Sequence, residues 1–161
     1  MKVTFNKMPL TLEGNQVKVG DTAPDFTVVA NDLTEVKFSD TTGKRILVAV
    51  PSIDTEVCDI EVRKFNQAVS NLDNVKVLTI SMDLPFAQAR WCGNAGIKNV
   101  QTLSDYKNKE FSKSYGLYIK ELGLISRAVI VVDEDNKVIY TEYLQEITNE
   151  PDYEKAIDAI K

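Results

Sequence analysis

The chain has 161 residues, of which 43% are apolar and 27% charged, so we expect one soluble globular domain with its own buried core. It carries 24 acidic and 19 basic residues, which argues against nucleic acid or an anionic membrane surface as a partner. The sequence contains no histidine, and this excludes Ser-His-Asp hydrolysis, Cys-His proteolysis and zinc sites that use histidine.

The N-terminal segment, residues 1–17, is expected to form a small β-hairpin that packs on a single domain formed by residues 18–161. Strands are predicted within residues 3–5 and 10–17, with Gly14-Asn15 as the turn, because glycine and asparagine accept tight turns readily. The first residues lack the apolar region of a secretory signal, and no apolar run is long enough to span a membrane. We therefore expect a cytoplasmic protein with no membrane partner.

Short apolar runs predict the strands of the domain in chain order. They lie at residues 26–29, 36–38, 46–50, 75–80, 128–132 and 138–140. The runs at 46–50, 75–80 and 128–132 are nearly continuous and rich in Val and Ile, which is typical of strands covered by helices on both faces. A polar turn follows the fifth run, so the sixth strand is expected to be its antiparallel neighbour.

Three helices are predicted in the later part of the chain. One runs from Pro85 to Cys92, since proline favours the first helical position and Gly93 follows the last one. Two more are expected, one stopping at Gly116 and one beginning near Pro151. Strands that alternate with helices in this way indicate an α/β fold with a mixed central sheet flanked by helices.

Cys58 occupies the most informative position in the chain. The strand predicted at 46–50 leads through Pro51 into a helix with an apolar face over 62–72. Thr55 is expected to cap this helix, which places Cys58 at its third position. A helix start carries unpaired N–H groups and a partial positive charge, both of which favour a thiolate. Cys58 is therefore a candidate nucleophile, and the alternative is a small buried apolar residue, the commonest role of a free cysteine.

The segment from Pro51 to Cys58, with Thr55 between them, resembles the Pro-x-x-x-Thr-x-x-Cys active-site signature of the peroxiredoxins. Further blocks resemble the bacterial thiol peroxidase subgroup of that family and occur in the same order. They are Arg63-Lys64-Phe65-Asn66, Ser81-Met82-Asp83-Leu84-Pro85-Phe86-Ala87-Gln88, Arg90-Trp91-Cys92-Gly93, Leu103-Ser104-Asp105-Tyr106 and Arg127-Ala128-Val129. The resemblance covers nearly the whole domain.

This resemblance implies a thioredoxin-like fold and a peroxidase reaction in two stages. Cys58 is expected to attack a hydroperoxide and become a sulfenic acid, with release of water or an alcohol. Cys92 is then expected to form an intramolecular disulfide with Cys58, which thioredoxin reduces. Because sulfur carries the two-electron change, no metal, flavin or haem is expected. The resemblance also leads us to expect a homodimer.

Thiolate formation alone cannot be the main source of catalysis in such a reaction. Lowering the pKa of a thiol from about 8.5 to about 6 raises the thiolate fraction at pH 7 roughly 30-fold. Nucleophilicity falls with the pKa, and the Brønsted slope of about 0.4–0.5 known for disulfide exchange removes roughly 10- to 18-fold of that gain. The larger contribution is therefore expected from hydrogen-bond donors aimed at the peroxide oxygens.

By resemblance, Arg127 and backbone N–H groups around Cys58 supply these donors, since an arginine stays charged and presents several donors in a fixed fork. Thr55 is expected to contact the peroxide and the sulfur, and Pro51 to shield the sulfur. On the residues alone, the alternatives are a solvated Arg127 entering a strand, a plain N-cap at Thr55 and a strand terminator at Pro51. The alternative for Cys92 is a packing thiol at a helix end.

Four acidic residues flank Cys58 and could disfavour a thiolate there. They are Asp54, Glu56, Asp59 and Glu61. We interpret them as solvated charges without a catalytic role, with Arg63 offsetting them.

Two other functions stay open from the sequence. A thiol–disulfide exchange protein on this fold is expected to carry Cys-x-x-Cys, whereas position 61 is glutamate. A peroxide-sensing protein without catalytic turnover could share the same site, and catalytic as opposed to stoichiometric consumption of peroxide would separate the two.

Overall fold

The computed structural model describes residues 2–95 and 99–161, which form eleven β-strands and four α-helices. The strands are β1 Lys2–Phe5, β2 Met8–Glu13, β3 Thr27–Val29, β4 Glu35–Lys37, β5 Lys44–Ala49, β6 Val75–Ser81, β7 Val100–Ser104, β8 Tyr118–Ile119, β9 Leu124–Ile125, β10 Ala128–Val132 and β11 Val138–Tyr143. The helices are α1 Glu56–Ala68, α2 Pro85–Ala95, α3 Glu110–Ser114 and α4 Tyr153–Asp158. A 3-10 turn, Phe38–Asp40, follows β4.

The larger sheet has the order β11-β10-β5-β6-β7-β3-β4 and is mixed. Strands β5, β6 and β7 run parallel at its centre, while β10 and β3 pair antiparallel with β5 and β7 respectively. Parallel neighbours need crossover connections, and α1 and α2 lie in the two that join these strands. The connection from β5 to α1 therefore starts at the carboxyl end of a central strand, and it contains Pro51 and Thr55.

Alternate residues of the central strands face opposite sides of this sheet. In β5, Ile46 and Val48 belong to the core on the side of α1, together with Phe65. Leu47 belongs to the core on the other side, together with Phe111 of α3. Both faces are covered, which explains why β5 and β10 are nearly continuous apolar runs. The predicted α/β architecture, with a mixed sheet flanked by helices, is confirmed, and so is the antiparallel pairing of β10 with β11.

The N-terminal hairpin is present, but the turn predicted at Gly14-Asn15 is wrong. Strands β1 and β2 pair around Asn6 and Lys7, whose φ angles of 49° and 71° are those of a tight hairpin turn with two left-handed residues. Gly14 instead follows the end of β2 with a φ of 95°, and a Cβ there would clash with the carbonyl oxygen of Lys113. The glycine thus permits a close approach to α3. Strand β2 also pairs with β8, and the division of the chain at residue 17 stays a prediction.

Strand β7 was missing from the prediction. Gln101, Thr102 and Ser104 interrupt its apolar residues, so the segment lacks the continuous apolar run that marks β5. Thr102 and Ser104 are nevertheless buried, because their hydroxyl groups have hydrogen-bond partners inside the protein.

Helix α2 is longer than predicted, since it continues past Cys92 and Gly93 to Ala95. A glycine ends a helix where it takes a left-handed conformation, and Gly93 does not take one. Cys92 therefore lies within the helix rather than at its end. Gly116, with a φ of 69°, follows α3 as predicted. Every helix in the described ranges is too short or too polar to cross a membrane.

Candidate active site

Cys58 lies in the first turn of α1, at the third helical position, as the sequence predicted. The Thr55 hydroxyl accepts a hydrogen bond from the Cys58 N–H at 3.3 Å and donates one to the Ser52 carbonyl at 3.1 Å. Thr55 is thus the N-cap of the helix. Pro51 is buried just beyond the end of β5, three residues before Asp54. The loop from β5 to α1 thus begins at a buried proline and ends at a capping threonine, directly before the turn that carries the thiol.

The Cys58 side chain is fully buried and faces the guanidinium of Arg127. Arg127 Nη2 donates to Cys58 Sγ across 3.0 Å. Arg127 stands directly before β10, which neighbours β5 in the sheet, so two adjacent central strands bring the pair together. The alternative interpretation of Arg127 as a solvated residue is wrong, since only 2% of it is exposed.

Three acceptors among the described residues hold the Arg127 guanidinium in one orientation. Nε donates to the Ile147 carbonyl at 2.7 Å, Nη1 donates to Glu61 Oε2 at 2.8 Å, and Nη2 donates to the sulfur. Burial lowers the pKa of Arg127, but the negative charges of Glu61 and Cys58 outweigh burial and raise it overall. The guanidinium therefore remains charged beside the sulfur.

Glu61 was predicted to be a solvated charge, and this is wrong. Its side chain is fully buried one helical turn beyond Cys58, where it forms an ion pair with Arg127. Burial raises the pKa of Glu61 to about 7, against the effect of the Arg127 charge, which lowers it. Its second oxygen, Oε1, has no hydrogen-bond partner in residues 2–95 and 99–161. The site thus contains a carboxyl group that titrates near neutral pH.

Cys92 is half-buried on α2, with its Sγ 3.2 Å from the Thr102 hydroxyl. Both cysteines lie within the described residues and are free, so the structure represents the dithiol state. Trp91 Nε1 donates to Asp59 at 2.9 Å, and Asp59 also forms an ion pair with Arg63. These contacts link α1 to α2 at residues directly adjacent to the two thiols.

A cavity of about 620 Å³ opens between the loop that precedes α1 and the start of α2. Ser52, Ile53 and Asp83 line it on one side, and Leu84 and Phe86 add exposed apolar surface. The Asp83 carboxylate accepts hydrogen bonds from the Ser52 hydroxyl at 2.7 Å and from the Ile53 N–H at 2.8 Å. Asp83 therefore fixes the loop that leads to the thiol, a role that reasoning from the sequence missed because these residues are 31 and 30 positions apart.

The arrangement suits a sulfur nucleophile. The helix N-terminus and the guanidinium both stabilise negative charge on the sulfur and on an atom that reacts with it. Within the described ranges, no three Cys, Asp or Glu side chains come together in a way that could hold a metal ion. The structure thus brings Thr55 and Arg127 into contact with Cys58, and it places Pro51 at the start of the loop that leads to this thiol. It places Cys92 on the helix tied to α1.

Comparison with known proteins establishes the family. The family model described as Redoxin matches residues 18–157. The chain belongs to the redoxin family. A thiol peroxidase from Halalkalibacterium halodurans is 56% identical over 160 residues, which is 99% of this chain and 96% of that relative.

Solved structures agree with this assignment. A peroxiredoxin-like protein from Aquifex aeolicus superposes on this redoxin with a TM-score of 0.93 at 37% identity, covering 99% of this chain and 95% of that chain. A thiol peroxidase from Chromobacterium violaceum gives a TM-score of 0.89 at 25% identity, covering 96% and 92% of the two chains. The thioredoxin-like fold and the resemblance to the thiol peroxidase subgroup of the peroxiredoxins are therefore confirmed.

Proposed function

We propose that this redoxin is a thiol peroxidase that reduces hydrogen peroxide and organic hydroperoxides through Cys58. The observation that carries the proposal is the 3.0 Å hydrogen bond from Arg127 Nη2 to the buried Cys58 Sγ. A cysteine that serves only packing needs no cation beside it, whereas a nucleophilic sulfur does. Relatives more than half identical to this chain carry the name thiol peroxidase, which supports the same reaction.

In the first stage the Cys58 thiolate attacks the terminal oxygen of the hydroperoxide. An S–O bond forms as the O–O bond breaks, and the leaving oxygen takes a proton and departs as water or an alcohol. Of the five N–H groups of a guanidinium, three on Arg127 have protein acceptors. The other two have no acceptor within residues 2–95 and 99–161, and we propose that they stabilise the charge on the peroxide oxygens. Thr55 contributes a hydroxyl oxygen at the same place, and buried Pro51 shields the sulfur from water.

In the second stage Cys92 attacks the sulfenic sulfur of Cys58 and forms an intramolecular disulfide. The S–O bond breaks, and the hydroxide leaves as water with the proton from the Cys92 thiol. A thioredoxin then reduces the disulfide by thiol exchange and becomes oxidised itself. The two electrons thus pass from thioredoxin through two cysteines to the peroxide.

Two serine variants test this assignment. Cys58→Ser should abolish peroxide consumption, because the nucleophile is lost. Cys92→Ser is the matched control, since it should consume one peroxide per chain in a burst and then fail to turn over with thioredoxin. Rapid mixing with hydrogen peroxide and an organic hydroperoxide measures the burst, and steady-state measurements with the same peroxides measure the turnover. A Cys58→Ser protein with normal turnover would refute the proposal. A wild-type protein that stops after one peroxide would favour a peroxide-sensing function instead.

We further propose that this enzyme acts in the cytoplasm, uses thioredoxin as its reductant and forms a homodimer. Leu84 and Phe86 are 51% and 68% exposed beside the cavity between the loop that precedes α1 and the start of α2, and apolar surface of this kind is typical of protein contact sites. Sedimentation velocity of the dithiol protein tests the homodimer, since a single species of one-chain mass would contradict it.

A further inference from the structure

Three polar side chains form a chain of contacts from Cys92 across the sheet. Cys92 Sγ lies 3.2 Å from Thr102 Oγ1, and Thr102 Oγ1 lies 3.0 Å from Asn31 Oδ1. Thr102 belongs to β7 and is only 1% exposed, while Asn31 lies just beyond the end of β3. The thiol on α2 is thus bonded to a buried hydroxyl that has a second partner.

The direction of these hydrogen bonds follows from counting protons. A threonine hydroxyl has one hydrogen, and an amide oxygen can only accept. Thr102 donates that hydrogen to Asn31, so the oxygen of Thr102 accepts the S–H of Cys92. A thiolate at Cys92 would face the lone pairs of the Thr102 oxygen instead of a donor. In this arrangement the Cys92 sulfur is the hydrogen-bond donor, and Thr102 offers no donor to a nucleophilic thiolate.

We infer that Thr102 and Asn31 are positioning residues that retain Cys92 on the sheet and so limit the rate of disulfide formation. The inference rests on the proposed role of Cys92 as the thiol that attacks the Cys58 sulfenic acid. In that step the S–H proton leaves Cys92, the S–S bond forms, and the S–O bond of Cys58 breaks with release of water. The hydrogen bond to Thr102 has to break first, because the thiol is its donor.

This restraint has a chemical consequence at Cys58. While Cys92 is held, the sulfenic acid persists, and a second hydroperoxide can oxidise it to a sulfinic acid, releasing a second water or alcohol. The competition between Cys92 and that second peroxide sets the fraction of enzyme lost in each turnover. Thr102 and Asn31 therefore also determine how sensitive the enzyme is to excess peroxide.

The test is Thr102→Val, which removes the hydroxyl and leaves the shape of the side chain nearly unchanged. Disulfide formation, followed by rapid acid quench and thiol labelling, should become about twofold to fivefold faster, as expected when one hydrogen bond from a weak thiol donor is lost. The preceding burst of peroxide consumption should keep its rate, and the sulfinic fraction by mass spectrometry should fall. Thr102→Ser restores the hydroxyl and should return the rate of disulfide formation towards that of the wild type.

Thr79 offers a matched control in the neighbouring strand. It pairs in register with Thr102, is fully buried, and its hydroxyl has no hydrogen-bond partner in the described part of the chain. Thr79→Val should leave disulfide formation unchanged. Thr102→Ala is a second test, since it also removes the hydroxyl, and it should accelerate the step as well.

The outcomes separate this inference from the proposed function. If Cys92→Ser consumes peroxide in a burst without turnover but neither Thr102→Val nor Thr102→Ala accelerates disulfide formation, the restraint on Cys92 is refuted and the peroxidase proposal stands. If Cys92→Ser turns over normally with thioredoxin, the resolving role itself is refuted. Should Thr102→Val lose its fold by circular dichroism, Thr102→Ala carries the test alone.

Discussion

Replacing Glu61 with glutamine is expected to change how the stability of the fold depends on pH. The carboxyl group is fully buried against Arg127, and burial raises its pKa from the ordinary 4.5 to about 7. The folded state therefore binds a proton that the unfolded state releases between these two values. Stability from this group is fully present below pH 4.5 and is lost as the pH rises through about 7.

The size of the effect follows from the same two pKa values. A rise from 4.5 to about 7 corresponds to about 3 kcal/mol of free energy of unfolding. Glutamine does not titrate, so the difference in unfolding free energy between wild type and Glu61→Gln should fall by about that amount between pH 4.5 and 8. Urea unfolding of the dithiol protein, at half-unit intervals of pH, measures this difference.

An exposed acid on the same helix provides the control. Glu56→Gln removes an exposed acid from the same helix, and its difference from wild type should stay nearly constant over this range. If the attraction of Arg127 outweighed burial, the pKa of Glu61 would lie below 4.5, and the wild type would gain stability relative to Glu61→Gln as the pH rises. A curve of that sign, or a flat one, would refute the reasoning.

Two further predictions concern the reaction itself. Arg127→Ala should slow the single-turnover reaction with peroxide by about 100- to 1,000-fold, the usual effect of removing one donor that stabilises developing charge. Titration of the Cys58 thiolate alongside the rate decides the cause, and a rate loss that disappears after correction for thiolate fraction would contradict a role in the transition state. Trp91 emission should change when the disulfide forms, because its hydrogen bond to Asp59 joins the two helices, and it should recover with thioredoxin. Cys92→Ser is the control that should show no change, and disulfide formation in the wild type at constant emission would show that Trp91 does not move.

The sequence was sufficient where the determinants are local. Thr55 and Cys58 are three positions apart, so a capping side chain and a first-turn thiol could be predicted together. The role of Arg127 was predicted only from family resemblance, because nothing in its neighbouring sequence shows that it lies beside a sulfur 69 positions away. Glu61 supplies the opposite charge that accompanies the burial of Arg127, and the sequence offered one signal for that residue. Glu61 lies on the same helix face as Cys58 and Phe65, at spacings of three and four.

The errors have physical causes of the same kind. Gly14 looked like a turn residue, but its conformational freedom serves the approach to Lys113, while Asn6 and Lys7 form the turn without any glycine. Gly93 looked like a helix stop, but α2 continues through it. At Gly14 a tertiary contact, which a window of sequence does not contain, decided how the backbone was used.

Both cysteines belong to one chain, and this sets the order of disulfide formation in enzyme concentration. The hydrogen bond from Trp91 to Asp59 also joins α1 to α2 at the residues next to Cys58 and Cys92, so the helices that carry the two thiols are tethered in the dithiol protein. Tethered groups of this kind act at effective concentrations in the millimolar range or above, whatever the concentration of the protein. Disulfide formation should therefore be first order in enzyme, and dilution should not slow it. A small thiol in solution has to match that local concentration to capture the sulfenic acid first, so the enzyme remains committed to its own second cysteine.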